Sequence, residues 1–281
     1  MAFNIFEIGS RSGRPVCLYD FTWGNTKWRY TSADRDVTWG AELIDGELKP
    51  ITWKKLAISD DGFSQGSQAQ EFTVTMPRAT PLADLFLSTP PSLPVSLICR
   101  RFHFDDPDQD AKVYWSGTVG NVRGKDQITV EVLGTAISAT MKRTGLRLCW
   151  ERNCPHVLYD ENCRADKDAH KVETTITALT GTSITVASLG AFASADFRGG
   201  FVEWAANADG TIERRGIETT NGNVFALFGT TVRMTQGMAV TIYKGCDLTP
   251  GTCFNRFNNL PNHGGIPFLA GESPFDGNPV F

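Results

Sequence analysis

Four cysteines stand in two pairs that lie far apart in the sequence. Eight residues separate Cys154 from Cys163, and six separate Cys246 from Cys253. Four thiolates can complete a tetrahedral Zn²⁺ site or ligate an iron–sulfur cluster. Zinc ribbons usually place two residues between paired ligands, so these wider loops suit a bulkier cluster better. Spacing alone leaves three hypotheses open, namely a cluster, a zinc ion and cysteines without a ligand.

The cysteine count favours metal ligation over disulfides. The first ten residues lack the cationic start, apolar run and cleavage site of a secretory signal, which predicts synthesis in the cytoplasm. Stable disulfides are rare in that compartment, whereas thiolates remain available to metals. The chain has seven cysteines, an odd number, so at least one thiol lies outside any fully paired framework.

The remaining three cysteines are predicted to be buried thiols. Cys17 and Cys99 lie within alternating strand patterns, where a small apolar thiol packs well. Cys149 lies five positions before Cys154 and could replace it as a ligand, although its apolar neighbours favour a place in the core.

No residue pattern predicts an active site. His156 lies near Cys154, but no signature of a cysteine hydrolase surrounds either residue. The acidic loop 105–110 lacks the glycine and the glutamate of a calcium-binding loop, and phosphate-binding and dinucleotide-binding glycine motifs are absent. We therefore expect a protein that is not an enzyme.

The elements that would position the cysteines are mainly β. In the first half, β-branched and aromatic residues alternate between turn signals, which is typical of antiparallel sheets. The predicted strands are PVCLYDFTW, TKWRYTS, DVTWGAEL, FTVTMP, VSLICRRFHF, KVYWSGTV and ITVEVLG. Only TPLADLFLS, with Thr80 as cap and Pro81 at the first helical position, and TAISATMKRTG are predicted to be helical.

The pattern changes near residue 146, which predicts a multi-domain chain. We expect an N-terminal β-rich domain over residues 1–145 and a cysteine-containing domain over 146–281. A second β series, with Asp209-Gly210 and Asn221-Gly222 as turns, predicts a small β module inserted at about 170–244.

The residues around the second cysteine pair are predicted to be irregular. Gly245 and Gly251 would let the loops curl around sulfur, and residues 254–281 are rich in Asn, Gly, Pro and Phe. We expect this tail to lack regular structure and to be held by packing or by a partner.

Composition excludes some classes of partner. Of 281 residues, 41% are apolar and 21% are charged, with a formal net charge of −4. The chain therefore has no overall reason to bind nucleic acid or an anionic membrane. No stretch approaches eighteen uninterrupted apolar residues, so no transmembrane segment is expected.

The second half of the chain resembles a known family. The residues that carry the resemblance run from Cys154 through Leu158-Tyr159 to Cys163, then Gly245-Cys246-Asp247 to Cys253, then Arg256-Phe257-Asn258-Asn259 and Asn262-His263-Gly264-Gly265-Ile266-Pro267. They look like the tail-tip hub proteins of long-tailed bacteriophages, including lambda-like tail tip proteins, and the related hub of gene transfer agents. In the first half the match is only general.

The resemblance implies a function and a cofactor. Hub proteins of this family form a homotrimer that joins the tail tube or distal tail protein to the central tip or receptor-binding protein. The tape measure protein is a further possible neighbour. Four cysteines of the family hold a [4Fe-4S] cluster, and the corresponding residues here are Cys154, Cys163, Cys246 and Cys253.

The implied location is the virion tail tip, after assembly in the host cytoplasm. The alternatives are a tail-associated cell-wall hydrolase and a binding module that holds Zn²⁺.

Overall fold

The structure is a computed structural model that describes residues 7–8, 14–44, 46–62, 71–87, 89–142, 145 and 150–269. Two compact units divide the chain. One contains Met1–Arg143 with Asn207–Thr211, and the other contains Thr144–Ala206 with Ile212–Phe281. Both described units are built mainly from strands, which confirms the predicted fold class. Within the described ranges, no helix has the length and apolar character needed to cross a membrane.

The first unit is a nine-stranded sheet. Its strands are β1 Pro15–Trp23, β2 Thr26–Thr31, β3 Val37–Ile44, β4 Glu47–Lys55, β5 Ser59–Asp60, β6 Glu71–Pro77, β7 Val95–His103, β8 Lys112–Gly124 and β9 Thr129–Ala136. They are ordered β3-β4-β2-β1-β7-β8-β9-β6-β5 in the sheet. The pairings described in it are antiparallel except for β2 with β4, which is parallel. The antiparallel architecture expected from the sequence therefore holds for the described pairings of this sheet with this one exception.

Strand β4 is not among the strands predicted from the sequence, and Pro50 lies inside it. Proline has no N–H to donate to a ladder and normally argues against a strand interior. Here Pro50 pairs with Ala41 beside an irregularity in the β3–β4 register. The strand tolerates proline at this interrupted part of the ladder.

The predicted helix near residue 80 is confirmed. Helix α1 spans Pro81–Leu85, and the side chain of Thr80 accepts a hydrogen bond from the N–H of Ala83. The other predicted helical stretch contains a 3₁₀ helix over Ile137–Lys142.

The second unit contains a closed six-stranded barrel. Its strands are β10 Lys171–Thr180, β11 Ser183–Val186, β12 Phe201–Ala205, β13 Ile212–Asn221, β14 Val224–Leu227 and β15 Ala239–Tyr243. Their order around the barrel is β10-β11-β14-β13-β12-β15. Large apolar side chains, among them Phe197, Trp204 and Phe225, fill the interior.

Pairing of the first and last strands closes the barrel. Lys171 lies opposite Tyr243, and Thr175 lies opposite Ala239, in an antiparallel ladder. The chain therefore enters and leaves the barrel at adjacent positions. Short 3₁₀ helices at Asp168–His170 and Ser194–Phe197 precede strands of the barrel.

The residues after the barrel are more regular than predicted. Helix α2 spans Pro250–Phe257, and a 3₁₀ helix spans Leu260–Asn262. The Thr249 side chain accepts from the N–H of Thr252 and caps α2, and proline stands at the first turn. The expectation of an irregular tail from residue 254 is therefore wrong for residues 254–257 and 260–262. Residues 270–281 lie outside the described residues.

Candidate metal centre

The structure brings the two cysteine pairs together around one cavity. Cys154, Cys163, Cys246 and Cys253 all line it, and its volume is about 20 Å³. Pockets that hold organic ligands measure roughly 300–1,000 Å³, so this space is too small for such a ligand. The other lining residues are His156, Leu158, Leu248, Phe257, Asn259, Asn262 and His263.

The cysteines that the structure describes are free thiols. Cys253 and Cys99 are buried, whereas Cys17, Cys154, Cys163 and Cys246 are half-buried. Cys17 and Cys99 lie in β1 and β7 of the first unit and take no part in the cavity. Cys149 lies outside the described residues, so its possible substitution for Cys154 stays a prediction.

Backbone hydrogen bonds hold the first cysteine pair in place. The N–H of Cys154 donates to the carbonyl of Leu248, 2.9 Å away, which ties the first cysteine loop to the second. The N–H of Cys163 donates to Asp160 Oδ1 at 2.6 Å. These bonds fix the backbone of both residues without a contribution from a metal.

Cys246 follows the last barrel strand, where the backbone is packed very closely. A Cβ on Gly245 would lie 2.0 Å from the carbonyl oxygen of Arg198 and 2.3 Å from the nitrogen of Gly200. The N–H of Gly245 also donates to the carbonyl of Asp196 at 2.8 Å. Gly245 is thus needed for close approach to the barrel rather than for the loop freedom that the sequence suggested.

Cys253 lies in the middle of helix α2, and an arginine anchors that helix to the barrel. Arg256 Nη1 donates to the carbonyl of Gly245 at 2.5 Å, and its Nε lies 3.3 Å from Asp196 Oδ1. Gly251 is helical and would meet nothing within 4 Å if it carried a Cβ. The predicted flexible loop around Gly251 is therefore wrong, and the helix itself fixes the direction of Cys253.

The segment after α2 packs against the first cysteine loop. His156 Nδ1 lies 3.1 Å from the carbonyl of Asn262, and the N–H of Ile266 donates to the carbonyl of Glu151 at 2.8 Å. A Cβ on Gly264 would lie 2.5 Å from the His156 ring. Glycine at this position therefore lets the chain pass directly over the imidazole.

Three of the four sulfur atoms accept a hydrogen bond from nitrogen, a feature that the sequence analysis missed. N–H donors near thiolates stabilise their negative charge and tune bound clusters. The donor–sulfur pairs are Gly264 N–H to Cys154 at 3.4 Å, Leu248 N–H to Cys246 at 3.3 Å, and Asn259 Nδ2 to Cys163 at 3.8 Å. The Asn-rich motif after Cys253 was the available signal, but only the fold shows where its amides point.

Burial opposes ionisation of two of the thiols. The pKa of Cys246 and the pKa of Cys253 are both raised, first by burial and then by the neighbouring cysteines. At Cys246 the charge of Asp247 adds to this effect and the N–H of Leu248 opposes it. Metal binding requires thiolates, so binding here would release protons. Four thiolates side by side repel one another unless a cation or cluster lies between them.

The cavity has the residue types that hold metals through sulfur. Four thiols line it together with apolar side chains, and three of the sulfur atoms receive N–H donors. Within the described part of the chain, no group of three or more His, Cys, Asp or Glu side chains is arranged to hold a single metal ion. By their chemistry, four thiolates can ligate either Zn²⁺ or an iron–sulfur cluster.

Comparison with known proteins points to phages. Residues 195–273 match the family described as "Phage conserved hypothetical protein BR0599". That range includes Cys246, Cys253 and the segment that packs on the first cysteine loop. An uncharacterized protein of Xylella fastidiosa (strain 9a5c) is 26% identical over 187 residues, which cover 61% of this chain and 37% of that protein. The chain therefore spans little more than a third of that relative's length.

The fold is shared with a solved particle. A chain of the virion of the native gene transfer agent particle matches with a TM-score of 0.71 and 18% identity, over 99% of this chain and 95% of that one. The matches confirm the resemblance to phage and gene transfer agent proteins.

Proposed function

We propose that this protein is a structural tail-tip hub subunit of a phage-like particle. It is not an enzyme and acts by joining neighbouring parts of the tail. The observation that carries the proposal is the fold, shared over 99% of the chain with a chain of a gene transfer agent virion. The phage family match over residues 195–273 supports the same assignment from sequence.

The proposed cofactor is a [4Fe-4S] cluster ligated by Cys154, Cys163, Cys246 and Cys253. The support is their position around one cavity, with N–H donors directed at three of the sulfur atoms. When bound, the cluster supplies four iron–sulfur bonds that join chain segments far apart in sequence. The cluster acts as a structural cross-link in this proposal.

The proposed partners follow from the position of a hub in the tail. Three copies form a ring that connects the distal tail protein or tube end to the central tip or receptor-binding protein, with the tape measure protein as a further neighbour. The protein is made in the host cytoplasm and resides in the virion.

Metal and sulfide analysis tests the cofactor. Protein purified without oxygen should be brown and contain about four iron and four sulfide per chain. Cys253→Ala should lose both, whereas Cys17→Ala, which alters a half-buried thiol outside the cavity, should keep them. Zinc without sulfide in the wild-type protein would refute the cluster and support the zinc-binding alternative.

Particle assembly tests the role. Deleting the gene should give tails that lack a tip, and supplying the wild-type protein or Cys17→Ala should restore complete particles. Cys253→Ala should fail to restore them because helix α2 and the following segment lose their cross-link. Normal particles without the protein, or hydrolysis of peptidoglycan by the purified protein, would contradict the structural role.

A further inference from the structure

We infer that Asn259 is a positioning residue that fixes Cys163 and Cys253 relative to one another and raises the reduction potential of the bound cluster. This inference rests on the proposed cluster and deepens it. Asn259 is 8% exposed and follows helix α2 directly, after the left-handed cap at Asn258. Its location places one amide between the two cysteine pairs.

The backbone of Asn259 is bound to one ligand and its side chain to another. The Asn259 N–H donates to the carbonyl of Cys253 at 3.0 Å. Its Nδ2 donates to the carbonyl of Cys163 and also lies 3.8 Å from Cys163 Sγ. Because these cysteines are 90 positions apart in sequence, Asn259 couples segments that local structure alone cannot align.

The orientation of the amide is fixed by a second asparagine. Asn262 Nδ2 donates to Asn259 Oδ1 at 2.6 Å. With its oxygen occupied on that side, Asn259 must present its NH₂ group to Cys163. A reversed amide would place oxygen against both the carbonyl and the sulfur of Cys163, which are acceptors.

The N–H donor directed at sulfur has a consequence for the cluster. Hydrogen bonds to cysteine sulfur withdraw electron density and favour the reduced, more negative cluster. Asn259→Asp keeps the shape but replaces the donor with a negative oxygen. We therefore expect it to lower the reduction potential and to weaken iron binding about 10–100-fold, the usual effect of losing such a partner.

The experiment compares Asn259→Asp with Asn255→Asp in the full chain purified without oxygen. Asn255 lies on helix α2, four positions before Asn259, and is exposed, so the control adds the same charge to the same segment on its solvent side. The readouts are the midpoint potential followed by electron paramagnetic resonance and the rate of iron loss to a chelator. Asn259→Asp should shift both, and Asn255→Asp should shift neither.

A second variant covers the case in which Asn259→Asp does not fold. Asn262→Leu leaves Asn259 in place but removes the donor that orients its amide, so it should lower the potential in the same direction by a smaller amount. An unchanged potential in Asn262→Leu and in any folded Asn259→Asp would overturn the inference while leaving the cluster intact. Wild-type protein without iron and sulfide would overturn both the inference and the proposed cofactor.

Discussion

At the scale of single residues, two glycines beside cysteines have opposite roles. Gly245 precedes Cys246 and lies against the backbone of Arg198 and Gly200 with no room for a methyl group. Gly251 precedes Cys253 by two positions and faces open space inside helix α2. Sequence alone does not distinguish the two glycines, since each lies within two positions of a predicted ligand.

These glycines give a matched pair of substitutions. Gly245→Ala should destabilise the protein by about 1–3 kcal/mol, because the added methyl forces residue 245 away from the backbone of Arg198 and Gly200. Gly251→Ala should be neutral or stabilise the helix by about 0.5–1 kcal/mol, because alanine is the better helix former. Urea unfolding with a fluorescence readout measures both, and equal effects of the two changes would contradict the structure.

At the scale of elements, His170 connects the barrel to helix α2. It ends the 3₁₀ helix before β10, and its ring meets the Phe257 ring edge-on at 4.8 Å. Burial and the nearby Lys244 lower the pKa of His170 below its ordinary value of 6.5, against an opposing effect of Asp166. The folded contact therefore favours the neutral imidazole.

This shift predicts a pH dependence with a definite sign. A pKa lowered by folding gives stability that is fully present above pH about 6.5 and is lost as pH falls through the lower folded pKa. Wild-type protein should therefore lose more thermal stability between pH 7.5 and pH 5.5 than His170→Gln does. Thermal unfolding of both proteins at both pH values isolates this histidine from other titrating groups, and identical losses would count against it.

The elements show how far sequence reasoning reaches. Strand β1 was predicted with its observed ends, Pro15 and Trp23, because alternation and turn residues act locally. The same cap signal, Thr followed by Pro, precedes both α1 and α2. The signal predicts α1, whereas Gly251 and Asn255 weaken the helical pattern of α2 enough to hide it.

At the scale of the whole molecule, contacts distant in sequence were beyond prediction. Closure of the barrel depends on β10 pairing with β15, and no local pattern specifies that partner. The meeting of the four cysteines was suggested by their types and by family resemblance. The amide donors to sulfur come from backbone and Asn259 positions that only the folded chain defines.

Removing the proposed cluster should destabilise the cysteine segments of the second unit and leave its barrel folded. The barrel has its own apolar core, whereas the cysteine loops and the segment up to Leu269 are joined by a few hydrogen bonds around the cavity. After iron chelation, hydrogen exchange should rise in residues 151–164 and 246–269 and stay low in 171–243. Uniform exchange across the second unit would show that the barrel also depends on the metal.

The closed barrel also bears on how such proteins can diverge. Its first and last strands are neighbours, so the chain leaves for Cys246 beside the place where it arrived from Cys163. The 82 residues between those cysteines therefore leave and return at one place, so changes confined to the hairpins that lie away from Asp196, Arg198 and Gly200 should leave the ligand positions unchanged. Related proteins can therefore differ in the surface of these hairpins while keeping the same four cysteine positions.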